Sequence, residues 1–164
     1  MVATSLDSKE ELERKYSRAT TNLKELEELG GTIIHGVNAH TMSQHPLLNM
    51  KLFDRIIFNF PHAGFTYSEH DQSQIELHKE LVWGFFKSAR NMLTYGNGEV
   101  HVTHKTAYPF SEWKIVKLAK KNRLLLCEEL EFYKSNYPGY DNKRGDGIWS
   151  DNSFPVGECS TFKF

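Results

Sequence analysis

The sequence predicts an α/β fold, a largely parallel sheet with helices on both faces and an antiparallel edge formed by the last two strands. Two observations predict it. Short β-branched or aliphatic runs alternate with amphipathic segments of about 12 to 22 residues, the rhythm of strand-helix-strand units. The final two apolar runs follow one another with no helix between them, which joins them as an antiparallel pair.

The elements follow in chain order. Val2 to Ser5 is a short strand-like stub. Ser8 and Glu11 form a capping box, and Leu12, Tyr16, Ala19, Leu23 and Leu26 recur at helical spacing until Gly30-Gly31, predicting one helix over 8–29. Thr32 to Val37 is β-branched and bounded by glycine, as a strand should be. Met42 to Met50 reads as a loop with a helical turn. The run Phe53 to His62 centres on Ile56-Ile57-Phe58, a continuous apolar stretch that predicts a strand buried on both faces and closed by Pro61.

From Asp71 to Leu93 the positions Ile75, His78, Val82, Phe85, Ala89 and Met92 fall on one helical stripe, with Trp83, Phe85 and Phe86 read as core. Glu99 to His104 is the next strand, 111–122 the next helix, and a strand begins at Leu124-Leu125-Leu126-Cys127 and runs toward Phe132. Tyr133 to Gly157 has no apolar period and is expected to be a long loop. Cys159 to Phe164 closes the chain as a strand.

A chain of 164 residues is expected to form a single domain, 1–164. The formal net charge of -1 gives no basic field over the whole molecule, so any RNA contact has to be local. No basic leader is followed by an apolar stretch and no window approaches a membrane span, which predicts an intracellular soluble protein without membrane partners. Cys127 and Cys159 lack the paired spacing of a zinc site and are expected to be reduced. The eight histidines show no ligand spacing on one face, so no metal site is expected.

Three segments carry a resemblance. Phe53-Asp54-Arg55-Ile56-Ile57-Phe58-Asn59-Phe60-Pro61-His62 followed by Gly64, Ala3 to Ser8, and Tyr137-Pro138-Gly139-Tyr140-x-Asn142-Lys143-Arg144-Gly145-Asp146-Gly147 together resemble the ribosomal-RNA (25S rRNA) uridine-N3 methyltransferase-like family, in a plant member. The resemblance implies a Rossmann-like class I methyltransferase sheet that binds S-adenosylmethionine at the carboxyl ends of its strands. It further implies methyl transfer to N3 of a uridine in large-subunit rRNA, and residence in the nucleolus, nucleus or cytoplasm. The family's domain begins one unit earlier, with a strand and a glycine-rich loop that nothing in this sequence matches. The chain is therefore expected to be truncated at its N-terminus and to start at an internal methionine.

Asn59-Phe60-Pro61-His62 also resembles the Asn/Asp-Pro-Pro-aromatic motif of amino-group methyltransferases, in which a carboxamide at a strand end holds the nitrogen being methylated. A proline there turns the chain sharply and leaves Asn59 facing the crevice. His62 is the candidate base for the N3 proton of uracil, since imidazole titrates near neutrality. Asp7 sits just past the strand that is second in the complete family fold, where nucleotide-binding folds place an acid on ribose hydroxyls, and competes with Ser8 as helix cap. Asn38 stands where family members often carry Asp and can accept from an adenine amino group. Lys143, Arg144 and Asp146, among permissive glycines, are candidates for gripping RNA. Lys114, Lys117, Lys120, Lys121 and Arg123 form a basic run that either tracks phosphate or is a solvated face. A catalytically inactive remnant that binds RNA or a protein partner is the alternative reading.

Overall fold

The computed structural model describes residues 1–164. The chain is a mixed α/β structure whose backbone gathers into two compact units, Met1–Ala39 with Asn142–Phe154, and His40–Asp141 with Pro155–Phe164.

In the first unit, β1 (Val2–Thr4) and β2 (Thr32–Ile34) pair in parallel, Val2 opposite Thr32 and Thr4 opposite Ile34. Helices α1 (Lys9–Lys15) and α2 (Ala19–Glu28) connect them. Ser8 caps α1 in a complete capping box: its hydroxyl accepts from Glu11 N at 3.2 Å, and its own N–H donates to the Glu11 carboxylate at 2.9 Å. The single helix expected over 8–29 is broken at Tyr16, whose backbone is extended. Tertiary bonds override the periodicity there. The Tyr16 hydroxyl donates to Gly145 O, and Ser17 gives both its N–H and its hydroxyl to the Asp151 carboxylate. Gly30, at φ 79°, then ends α2 in a left-handed cap.

The second unit contains β3 (Arg55–Asn59), α3 (Gln72–Arg90), β4 (Glu99–Lys105), α4 (Ile115–Lys121), β5 (Glu128–Glu131) and β6 (Cys159–Lys163). Its sheet runs β3-β4-β6-β5, parallel between β3 and β4 and antiparallel at the other two pairings. The antiparallel edge is thus present, with the last strand inserted between β4 and β5. The core is built from Val100 and Val102 of β4, Val82, Phe86 and Ala89 of α3, and Ala119 of α4, all fully buried. Phe58 packs edge-on against Phe85 at 5.0 Å and Phe86 against Phe164 at 5.1 Å. Each large apolar side chain buried in this way stabilises the fold by about 1.5–3 kcal/mol.

Four expectations are corrected here. The strands form two sheets, because β1 and β3 each pair along one side only. β3 alternates between half-buried and exposed positions because only one of its faces is packed, and Ile57, on the other face, is 58% exposed instead of buried on both faces. The helix expected over 111–122 divides into a 3₁₀ turn, Phe110–Trp113, and α4, because Lys114 between them takes a left-handed conformation at φ 52°. The strand expected from Leu124 begins only at Glu128, where the backbone comes into register with β6 and Glu128 lies opposite Lys163.

Candidate active site

At the carboxyl end of β3, Asn59 lies opposite Thr103 of β4. The ladder extends one bond further, as Phe60 N donates to Thr103 O at 2.8 Å. Phe60 then turns the chain at φ 47°, an uncommon and strained value for a side chain of this size. The turn is sharp, as the sequence suggested, but it is made at Phe60, with Pro61 buried behind it. Asn59 is left exposed, and no group of the chain accepts or donates a hydrogen bond at its carboxamide. It therefore does not serve as a loop-backbone cap.

His62 faces a network that the sequence did not announce. Gly64 N donates to His62 Nδ1 at 3.1 Å, so Nδ1 carries the lone pair and Nε2 carries the proton. Nε2–H is given to the Glu69 carboxylate at 2.6 Å. His78, fully buried on α3, is held in the same tautomer, with Nδ1 accepting from Ala63 N at 3.1 Å and Nε2–H donating to the other Glu69 oxygen at 3.1 Å. Gln74, also fully buried, accepts from Tyr67 N at 2.8 Å and donates to Gly64 O at 2.6 Å. Its nitrogen also lies 3.1 Å from His78 Nε2. With both nitrogens protonated this is a contact between two donors that each have an acceptor elsewhere. Side chains from the first turns of α3 thereby satisfy the backbone of the loop that follows Asn59.

Burial pushes the Glu69 carboxyl upward, but the two imidazole N–H donors outweigh it and hold the group down at about 2. Behind this network Trp113 lies between two imidazoles, stacked on His78 at 4.2 Å and tilted against His104 at 4.2 Å. His104 Nε2–H donates to Phe110 O at 3.0 Å, and burial lowers the ring to about 4, so it stays neutral. Lys105, the last residue of β4, lies over the Phe110 ring at 5.0 Å, and its partial burial lowers its ammonium below the usual lysine range.

Ligand-type atoms of His62, Glu69 and His78 all lie within 4.8 Å of one another. The hydrogen-bond polarity opposes a metal ion there. An imidazole that coordinates through Nε2 needs its lone pair on that atom and a proton on Nδ1 aimed at an acceptor, whereas both Nδ1 atoms here face backbone N–H groups.

The first unit holds the other candidates. Asp7 and Asn38 follow the same ends of the parallel strands β1 and β2, which are tied beyond the ladder by Val37 N donating to Ser5 O at 2.8 Å. Ser8, not Asp7, caps α1; both Asp7 oxygens accept from Lys15 Nζ at 2.9 Å, a bond that raises the Lys15 ammonium against its partial burial. Asn38 is exposed, and Gly36 before it turns at φ 70° beside open space. Lys143 pairs with Asp151 at 3.0 Å and also donates to its carbonyl at 2.8 Å, while Arg144 and Asp146 are exposed. Bonds from Ser17, together with Lys143, hold the Asp151 carboxyl at about 2. Lys143 therefore has its charge engaged within the fold.

Sequence reasoning missed Glu69, Gln74 and His104 as parts of the site. His78 gave one signal, a polar side chain on an otherwise apolar helical stripe. Glu69 gave none, because its partners come from the loop and from α3 at no fixed spacing.

A protein of Arabidopsis thaliana named heavy metal-associated isoprenylated plant protein 41 is 54% identical over 99% of this chain, which spans only 31% of that relative's length. An uncharacterized Arabidopsis thaliana protein is 50% identical over all of the chain and 79% of its own length. The 25S rRNA (uridine(2634)-N(3))-methyltransferase of Saccharomyces cerevisiae is 26% identical over 68% of the chain and 40% of its own length. The sequence pattern described as rRNA (uridine-N3-)-methyltransferase BTM5-like matches residues 1–144, which include both strand-end clusters, and the chain belongs to that family.

Proposed function

We propose that this chain is a Rossmann-like domain of an S-adenosylmethionine-dependent methyltransferase that acts on N3 of a uridine in large-subunit rRNA, in the nucleolus, nucleus or cytoplasm. The observation that carries the reading is the strained turn at Phe60, which leaves the Asn59 carboxamide exposed and without a partner in the chain at a strand end. A carboxamide offers one acceptor and two donors, and its NH₂ group is suited to hold a uracil carbonyl beside N3 while the N3 proton is left to a base.

His62 has the hydrogen-bond order that a base needs. With Nε2–H on Glu69, its Nδ1 exchanges the Gly64 N–H for the N3 proton of the substrate, and the Glu69 carboxylate stabilises the imidazolium that forms. Glu69 thus positions His62 and does not itself touch the base. Phe60 and Pro61 fix the direction of the turn.

On the cofactor side, Asp7 is assigned to ribose hydroxyls and Asn38 to the adenine amino group. The donor set fits. A carboxylate paired with one lysine keeps lone pairs for hydroxyl donors, and Gly36 leaves the backbone beside Asn38 open to close approach. S-adenosylmethionine supplies a methyl group activated on a sulfonium, and catalysis then rests mainly on alignment. Arg144 and Asp146 are assigned to RNA, with Lys143 holding their loop through Asp151.

Isothermal calorimetry of the chain with S-adenosylmethionine, paired with radiolabelled methyl transfer to an rRNA fragment, tests the reading. Micromolar binding is expected, with transfer reduced about 10²-fold or more in Asn59→Ala. Absence of binding by the chain would leave the second reading, a cofactor-free RNA- or protein-binding module.

A further inference from the structure

An aromatic tier stands next to the strand end that carries Asn59. Phe60 meets Phe132 edge-on at 5.5 Å, and Phe132 in turn stacks on Tyr137, with ring centres 5.2 Å apart and planes 14° apart. Tyr140 closes the tier from the side, edge-on to Phe132 at 6.2 Å. Tyr137 is 52% exposed although one of its faces lies on Phe132, so the exposure belongs to its outer face and edge.

The segment that presents this ring has little else to hold it. Its 3₁₀ turn, Lys134–Asn136, buries no residue. Phe132 stacks directly on this ring, and Phe60 and Tyr140 each pack edge-on against Phe132. Within the segment itself Lys134 pairs with Asp141 at 3.4 Å, so no cation of the segment stands beside the ring without a carboxylate. The outer face of Tyr137 is therefore flat and apolar, which suits the face of a ring better than a phosphate.

Resting on the function proposed above, we infer that Tyr137, backed by Phe132 and Phe60, is a stacking shelf for an unpaired RNA base adjacent to the uridine held at Asn59. An unpaired base has an exposed π-face of matching size, and stacking of this kind tolerates any base while excluding paired ones. The shelf would thus select single-stranded or flipped-out substrate before any atom of the target is read. Phe60 joins the two functions, since the residue that turns the chain away from Asn59 also supports the shelf.

Fluorescence anisotropy with a 5′-fluorescein-labelled oligouridylate of about ten nucleotides, titrated over a range of salt concentrations, tests the inference. Tyr137→Ala is expected to weaken binding about tenfold, Tyr137→Phe to stay within about twofold of the parent because the ring is kept, and Tyr95→Ala, at a 96% exposed isolated tyrosine, to change nothing. The slope of affinity against salt should be the same for parent and variants, since no phosphate contact is removed. The shelf is refuted if Tyr137→Ala binds as the parent does, if Tyr137→Phe loses as much as Tyr137→Ala, or if the salt slope falls with the ring. Failure of the parent chain to bind the oligonucleotide also refutes it, while calorimetry with S-adenosylmethionine decides separately whether the methyltransferase reading stands.

Discussion

Glu69 is a single residue on which two elements depend. Its two oxygens each accept an imidazole N–H, one from the loop at His62 and one from α3 at His78. Glu69→Gln preserves shape but replaces one acceptor with an NH₂ group, so that one imidazole N–H faces another donor. A buried donor left unsatisfied costs about 1–3 kcal/mol. With a quarter of the Glu69 side chain in contact with water, a loss of about 1–2 kcal/mol is expected, read as a lower urea midpoint at unchanged slope. A midpoint equal to that of the parent would show that the network contributes no net stability. At this scale the sequence singled out Asn59 and His62 as candidates, because a strand end followed by proline is visible in one dimension. It did not disclose Glu69, whose role exists only once the loop folds back on α3.

The elements were legible where the burial pattern was simple. The stripe of Ile75, His78, Val82, Phe85, Ala89 and Met92 is buried throughout; its first five residues lie on α3 and Met92 in the turn that follows it. Periodicity failed where a tertiary bond intervened, at Tyr16 and Ser17, and where one residue left the helical region, at Lys114. It also could not reveal that one face of β3 would be left uncovered, so its apolar centre gave the wrong burial. Within α3, Gly84 illustrates a constraint of close packing. A Cβ built there would lie 2.6 Å from ring atoms of His40, well inside van der Waals contact. In an open helix, Gly→Ala stabilises by about 1 kcal/mol; here the overpacking reverses the sign, and Gly84→Ala is expected to destabilise by about 1–3 kcal/mol. A raised melting temperature in Gly84→Ala would mean that the His40 ring moves aside at little cost.

For the molecule as a whole, the buried titratable groups of the second unit set how stability responds to acid. His104 is lowered by burial to about 4 from an ordinary value of 6.5, so the unfolded chain takes up a proton there before the folded chain does. Its contribution is complete above about pH 6.5 and is lost as pH falls toward about 4, a difference on the order of 3 kcal/mol for a shift of this size. Glu69 acts in the same direction but lower, because a carboxyl held at about 2 against an ordinary 4.5 contributes above about pH 4.5 and loses that contribution as pH falls through 2. Two successive losses are therefore expected, the first from the neutral histidine and the second from the carboxylate. Urea unfolding at a series of pH values should show stability declining from about pH 6.5, well above the carboxylate range. In His104→Gln this early decline should disappear while the one below about pH 4.5 remains. Conversely, a parent protein whose stability is flat from pH 7 to pH 5 would mean that His104 is not held neutral in the fold, and the stacked arrangement around Trp113 would then have to accommodate an imidazolium.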